Sequence, residues 1–226
     1  LIRHYEELAR GGAGLLIVEL AYVDEKASKR MENQIGASTD EHKKGLNMLA
    51  SLIKANGAKA GLQLGHGGIT RFLSATVRKG PSRIPRRYRE AISIPPPEEL
   101  TLEEIGEIVK AFGDAALRAK QAGFDLVEVH GAHGYLITNF LSPRTNKRTD
   151  SYGGSPRNRM RFLLEIVANI RKKVGASYPL SVRLSGTDYD EDEDITVEET
   201  SETVRALEKA GVNVINASAG QHYHMD

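Results

Sequence analysis

Two hydrophobic patterns alternate along the chain. Short runs that are apolar at nearly every position occupy residues 14–20 (GLLIVEL), 59–65 (KAGLQLG), 124–129 (FDLVEV), 178–184 (YPLSVRL) and 212–217 (VNVINA). They have the length and continuity of strands covered on both faces. Longer stretches between them place apolar residues three and four apart: Leu46, Leu49, Leu52 and Ile53; Ile105, Ile108, Val109, Phe112 and Ala116; Phe162, Leu163, Ile166, Val167 and Ile170. That spacing puts one stripe on the face of a helix. Residues 1–10 read as the end of a helix, and 158–174 as a whole one. Ser38 with Glu41, Thr101 with Glu104 and Thr196 with Glu199 each have the three-residue spacing of a capping box. Gly57, Gly123, Gly175 and Gly211 stand where those helices should stop.

Strands separated by helices predict a parallel sheet, either an open doubly wound sheet or a (β/α)8 barrel. No Gly-x-Gly-x-x-Gly opens a helix and no phosphate loop ending in Gly-Lys-Ser/Thr occurs, which weighs against the open sheet. A barrel takes roughly 250 residues and eight strands. This chain of 226 residues shows only five strand patterns, begins inside a helix and ends just after a strand. The reading is therefore one partial barrel domain over 1–226, with one strand expected before it and two βα units after it. Residues 67–97 interrupt the alternation. They are rich in proline and carry Arg71, Arg78, Arg83, Arg86, Arg87 and Arg89, and they read as a long excursion holding a hairpin, its charges either a solvated face or a contact for an anion.

Composition narrows the function classes. A net charge of +1 with acids and bases interspersed gives no footprint for nucleic acid. No run approaches the ~20 apolar residues of a membrane span, and residues 1–12 lack the apolar core of a signal peptide. With no cysteine there is no thiolate chemistry or disulfide, as suits a cytoplasmic setting. Asn216-Ala217-Ser218 matches a glycosylation pattern but falls in an expected buried strand.

Polar residues recur where the strands end: Gln63 and His66, then His130 and His133, then Arg183, then Asn216 and Ser218. In a barrel these carboxyl ends share one rim, where such folds place their chemistry. Gln63 offers a donor and an acceptor together, which suits a pyrimidine-like edge, or it is a plain strand-end hydrogen bond. Arg183 can hold a delocalised anion, or pair with Glu128 or Asp188. His130 and His133 can both donate to one oxygen. They can also ligate a metal, which would make this a metal-dependent barrel hydrolase, although no third ligand is evident. Tyr135 can deliver a proton or simply pack in the turn.

The segment from His130 onward, HGAHGYLITNFLSPRTNKRTDSYGGSPRNRMRFLLEIV, resembles the signature of the old yellow enzyme family, the FMN-dependent NADH:flavin oxidoreductases. GLQLGHGG resembles that family's third-strand motif and SVRLSGTDY its fifth-strand motif. The resemblance implies a (β/α)8 barrel with FMN at the carboxyl ends of the strands, this chain supplying the second to the sixth. It implies that Gln63 binds the flavin pyrimidine edge, that Arg183 lies near flavin N1 and O2, that His130 and His133 hold a substrate carbonyl oxygen, and that Tyr135 protonates the substrate carbon. Some members have His-Asn in place of the His-His pair. Asn146, Arg148, Asp150, Tyr152, Gly153, Gly154, Asn158 and Arg159 take architectural places. The implied reaction carries hydride from NADH or NADPH through flavin to the activated alkene of an enone or enoate, a small α,β-unsaturated carbonyl compound. The motifs also resemble larger members that carry an iron–sulfur cluster and FAD in regions beyond residue 226. A homo-oligomer is left open, as is a truncated, non-catalytic barrel. The third-strand motif departs from the family's Gly-Arg ending, reading Gly68-Ile69-Thr70-Arg71.

Overall fold

A computed structural model describes residues 1–70, 78–83, 96–187 and 195–220. Its elements are α1 (Ile2–Arg10), β1 (Leu15–Tyr22), α2 (His42–Ala55), β2 (Lys59–Gly65), β3 (Lys79–Gly80), β4 (Glu98–Glu99), α3 (Leu102–Gln121), β5 (Leu126–Gly131), α4 (Leu136–Leu141), α5 (Pro156–Arg159), α6 (Arg161–Val174), β6 (Leu180–Ser185), α7 (Val197–Lys209) and β7 (Val214–Ser218). The main sheet is parallel throughout, with the order β1-β2-β5-β6-β7. Each long strand thus lies beside the next one in the chain. A doubly wound sheet reverses its strand order at a switch point. No reversal occurs here, and the winding is that of a (β/α)8 barrel, of which these five strands form an arc.

Cross-strand register explains the apolar runs. Leu64, Val129 and Val182 are aligned and fully buried beneath the helices. The alternate positions face the barrel interior, where Gln63, Glu128 and Ser181 form one aligned row and His130, Arg183 and Asn216 the row above it. Three helices pack the outer side through Ile53, Phe112 and Phe162, all with no exposed surface. Phe162 stacks on Phe140 of α4 with ring centroids 4.3 Å apart, which fixes the α4 turn against α6. The edge strand β7 is more open than its apolar pattern suggested: Val214 is 52% exposed, and Asn216 and Ser218 are half-buried.

Several local expectations change. Thr101 and Glu104 do form a reciprocal capping box. Thr196 accepts from the Glu199 N–H, but the Glu199 carboxylate goes to Arg159 instead of closing the box. Ser38 caps nothing, because α2 begins four residues later. Its hydroxyl donates to Glu25, and the Thr39 N–H is accepted by His42 Nδ1. β3 and β4 pair in parallel, and most of the segment in which a hairpin was expected lies outside the described residues. Arg78 donates to the Ile69 carbonyl; Arg71, Arg86, Arg87 and Arg89 lie outside the described residues, as does Asp188.

The polar loop after β5 holds itself in shape. Asn146 Nδ2 donates to the carbonyls of Phe140 and Tyr152. The buried Arg148 guanidinium grips Asp150 and reaches the carbonyls of Pro81 and Leu100. Arg159 donates to the carbonyls of Leu141 and Gly154 and pairs both Nη2 bonds with Glu199, each at 2.7 Å. A Cβ on Gly153 would lie 2.1 Å from the Arg148 carbonyl oxygen, so only glycine fits this turn.

Candidate active site

The carboxyl ends of the strands surround a cavity of about 570 Å³, and Gln63, His130, His133, Tyr135 and Arg183 all line it, with Arg30 among the remaining lining residues. Five positions from three parts of the sequence are therefore brought together. The volume is in the range of small-ligand pockets. His66, Asn216 and Ser218, also named at strand ends, are not among the lining residues; His66 is buried, and its Nδ1 accepts the Gly68 N–H in the turn after β2.

His130 is the penultimate residue of β5, and His133 follows the strand by two residues. The two rings lie 5.2 Å apart and nearly edge to face, and the His130 ring is 4.8 Å from that of Tyr135. His133 has φ 62, a left-handed conformation rare outside glycine. Two contacts hold it there. Its N–H donates to Ser185 Oγ at 3.2 Å, and its Nε2 lies 2.6 Å from Ser218 Oγ. Apart from glycine, Asn is among the residues that best tolerate this backbone region. Tyr135 is the N-cap residue of α4 and is buried. Burial raises its pKa, while the charge of Arg30 and its hydrogen bond pull the other way.

Gln63 and Arg183 occupy the floor and the side. Gln63 Nε2 donates to Glu128 Oε1 at 2.8 Å. The same buried carboxylate accepts Ser181 Oγ at 2.9 Å and Asn216 Nδ2 at 3.1 Å. Arg183 thus does not take Glu128 as its partner. Its Nη2 donates to Ser218 Oγ at 3.2 Å, and its buried Nε meets no hydrogen-bond partner among the described residues. Ser218 therefore joins Arg183 to His133. Sequence reasoning missed Arg30 altogether and gave Glu128 only as a spare partner. A carboxylate between the two valines of the FDLVEV run, at a position the strand buries, was the available signal.

The whole of residues 1–226 matches the model of the NADH:flavin oxidoreductase / NADH oxidase family. The chain belongs to that family. It is 43% identical to an NADH oxidase of Thermoanaerobacter brockii, over 100% of this chain and 34% of that protein. It is also 43% identical to an NADPH dehydrogenase of Geobacillus sp. (strain WCH70), over 96% of this chain and 61% of that protein. The chain thus spans between about a third and three fifths of these relatives. Among solved structures it superposes on a 2-naphthoyl-CoA reductase complexed with 2-naphthoyl-CoA, with TM-score 0.87, 35% identity and 98% of this chain covered against 35% of that one. Morphinone reductase in complex with tetrahydroNAD gives TM-score 0.80 and 29% identity over 96% of this chain and 64% of that one.

The residues fit the family's flavin. A fixed amide and a guanidinium with an unpartnered buried N–H form a donor and acceptor set for a polar ring edge. No group of three His, Cys, Asp or Glu side chains that could hold a metal ion occurs among the described residues. No described helix is long and apolar enough to cross a membrane.

Proposed function

We propose that this chain is the flavin-facing part of an NAD(P)H-dependent ene-reductase, a portion of an FMN-binding barrel domain that further strands complete. The observation that carries the reading is the convergence of Gln63, Arg183, His130, His133 and Tyr135 on one cavity at the carboxyl rim. Bound flavin would supply the hydride chemistry that links the nicotinamide to the alkene carbon. Gln63 would hold the pyrimidine edge through its amide oxygen and its second amide N–H, the first N–H being given to Glu128. Arg183 sets a positive charge beside that edge, where added electrons are best stabilised.

On the substrate side, His130 and His133 donate to the carbonyl oxygen of an enone or enoate and stabilise the charge that develops on it. Removing one such donor raises a barrier by about 2.7–4 kcal/mol. Tyr135 supplies the proton to the carbon next to the carbonyl. Holding the carbonyl in one place lets the alkene present one face. Any iron–sulfur cluster or FAD belongs to regions beyond this chain.

The test is an anaerobic single turnover of the full-length protein, reduced with NADPH or NADH and mixed with cyclohexenone. The expected product is the saturated ketone, with the yield lost in a His130→Ala, His133→Ala double variant. A protein that oxidises NAD(P)H but leaves the alkene untouched refutes the substrate assignment.

A further inference from the structure

Arg30 lies on the connection between β1 and α2, 105 residues from Tyr135 in the chain. Its Nη1 nonetheless donates to the Tyr135 hydroxyl oxygen. Its guanidinium carbon also sits 5.1 Å from the centroid of the same ring. One side chain thus touches both the oxygen and the π face of the tyrosine. The backbone behind Arg30 is braced on two sides. Gln34 accepts the Arg30 N–H at 2.6 Å and donates to the Leu20 carbonyl of β1 at 3.0 Å. Ser28, fully buried, takes the N–H groups of Val23 and Asp24 on its hydroxyl, and its carbonyl accepts the Gly67 N–H at 2.9 Å. The turn after β2 then reaches α4, because the His66 carbonyl accepts the Leu136 N–H at 3.1 Å. Both partners of the Arg30–Tyr135 contact are therefore tied to the same turn.

A guanidinium only donates hydrogen bonds. Toward Arg30 the phenol oxygen is the acceptor, so the phenol hydrogen must point elsewhere. We propose that Arg30 is the positioning residue of Tyr135: it orients the hydroxyl for proton delivery and balances the negative charge left on the oxygen afterwards. The proposal rests on the ene-reductase reading for its reaction. In that step the Tyr135 O–H bond breaks and a C–H bond forms at the carbon next to the carbonyl. The electron pair stays on the phenolate oxygen, beside the guanidinium, until a solvent proton restores the phenol. The downward pull of Arg30 on the burial-raised pKa of Tyr135 agrees with this role.

Glu19, His130, His133 and Arg183 share the cavity with Arg30 and Tyr135, so a pH profile by itself would mix several groups. The experiment therefore compares wild type, Arg30→Met, Arg30→Lys, Tyr135→Phe and the Arg30→Met, Tyr135→Phe double variant of the flavin-loaded full-length protein. The first readout is the near-ultraviolet phenolate titration, taken as the difference from Tyr135→Phe. Arg30→Met should move the Tyr135 titration to higher pH, and Arg30→Lys should move it less. An unchanged titration overturns the proposal whatever the protein does to alkenes. The second readout is single-turnover reduction of cyclohexenone. Arg30→Met should slow it by roughly 100-fold, the low end of a general acid's contribution, and should cost nothing more in the Tyr135→Phe background. An equal loss in both backgrounds overturns the proposal, because Arg30 would then act on something else. A shifted titration with no alkene turnover in any protein, wild type included, sustains the Arg30–Tyr135 coupling and refutes the ene-reductase reading instead.

Discussion

Replacing Glu128 tests whether the barrel floor organises the flavin edge. The carboxylate is 1% exposed and accepts three side-chain donors, Gln63 Nε2, Ser181 Oγ and Asn216 Nδ2. Glu128→Ala removes the acceptor from all three. A buried donor left unmet costs about 1–3 kcal/mol. Two features pull the total toward the lower end of that range per donor. Deleting a buried charge relieves its own desolvation, and Gln63 and Asn216 stand near an open rim where water can enter. About 3–4 kcal/mol of lost stability is expected, enough to shift a urea midpoint by more than 1 M at the usual slopes. Glu128→Gln keeps the shape and one carbonyl oxygen, and turns an amide toward the remaining donors. It should cost about 1–2 kcal/mol. Both variants free the Gln63 amide to flip, so flavin affinity should fall by roughly tenfold, the equivalent of about 1.4 kcal/mol. The assay is urea denaturation of the flavin-free full-length protein, followed by circular dichroism, with FMN titration of each folded variant. If Glu128→Ala leaves both the midpoint and the FMN affinity unchanged, the carboxylate does not organise Gln63 and the argument fails.

Other expectations can be checked with similar means. His133→Ala should slow alkene reduction by roughly 100- to 1,000-fold, whereas His133→Asn, which suits the φ 62 backbone, should retain most of the rate; equal losses would remove the donor argument. Phe162→Ala deletes a fully buried ring stacked on Phe140 and should destabilise the protein by about 3–5 kcal/mol in denaturation, with a change under 1 kcal/mol showing that the α4–α6 contact is dispensable. Asp150 has its carboxyl pKa lowered, chiefly by the hydrogen bond from Arg148. Its stabilising contribution is present above the unfolded value of about 3.9 and is lost as pH falls through the lower folded value. Asp150→Asn should therefore lower stability at neutral pH and flatten the loss seen below about pH 4; an unaltered acid limb would show that the Arg148–Asp150 pair contributes nothing to it.

Much of the fold was legible because its signals are local and repeated. An apolar run such as 178–184 marks a covered strand, and stripes such as Ile105, Ile108, Val109 and Phe112 mark helices. What escaped was set by contacts distant in sequence. In α4 all six residues, Leu136 to Leu141, are buried, Thr138 and Asn139 among them, so its polar positions mark no exposed face and give no 3.6-residue contrast. Ser38 and Glu41 have the right spacing for a cap, yet the chain keeps turning and Glu25 takes the serine hydroxyl. The two-residue strands β3 and β4 are too short to show any period.

At the site, Gln63, His130, His133, Tyr135 and Arg183 were legible as residues because each follows or ends a strand. Their partners were not. Arg30 comes from a polar connection with no pattern of its own, and only packing on the turn after β2 brings it to Tyr135. Ser218 reads as an ordinary strand-end serine until the register of β6 and β7 places it between His133 and Arg183.

The most direct measurement is the visible absorption spectrum of the purified full-length protein, taken alone, then after NADPH or NADH under anaerobic conditions, then after cyclohexenone. The account predicts flavin bands that bleach with the nicotinamide and return with the alkene, and weaker flavin retention when Gln63 or Arg183 is replaced by Ala. A folded protein that neither holds nor takes up FMN would contradict the assignment of Gln63 and Arg183 to the flavin edge, and with it the reading of the cavity.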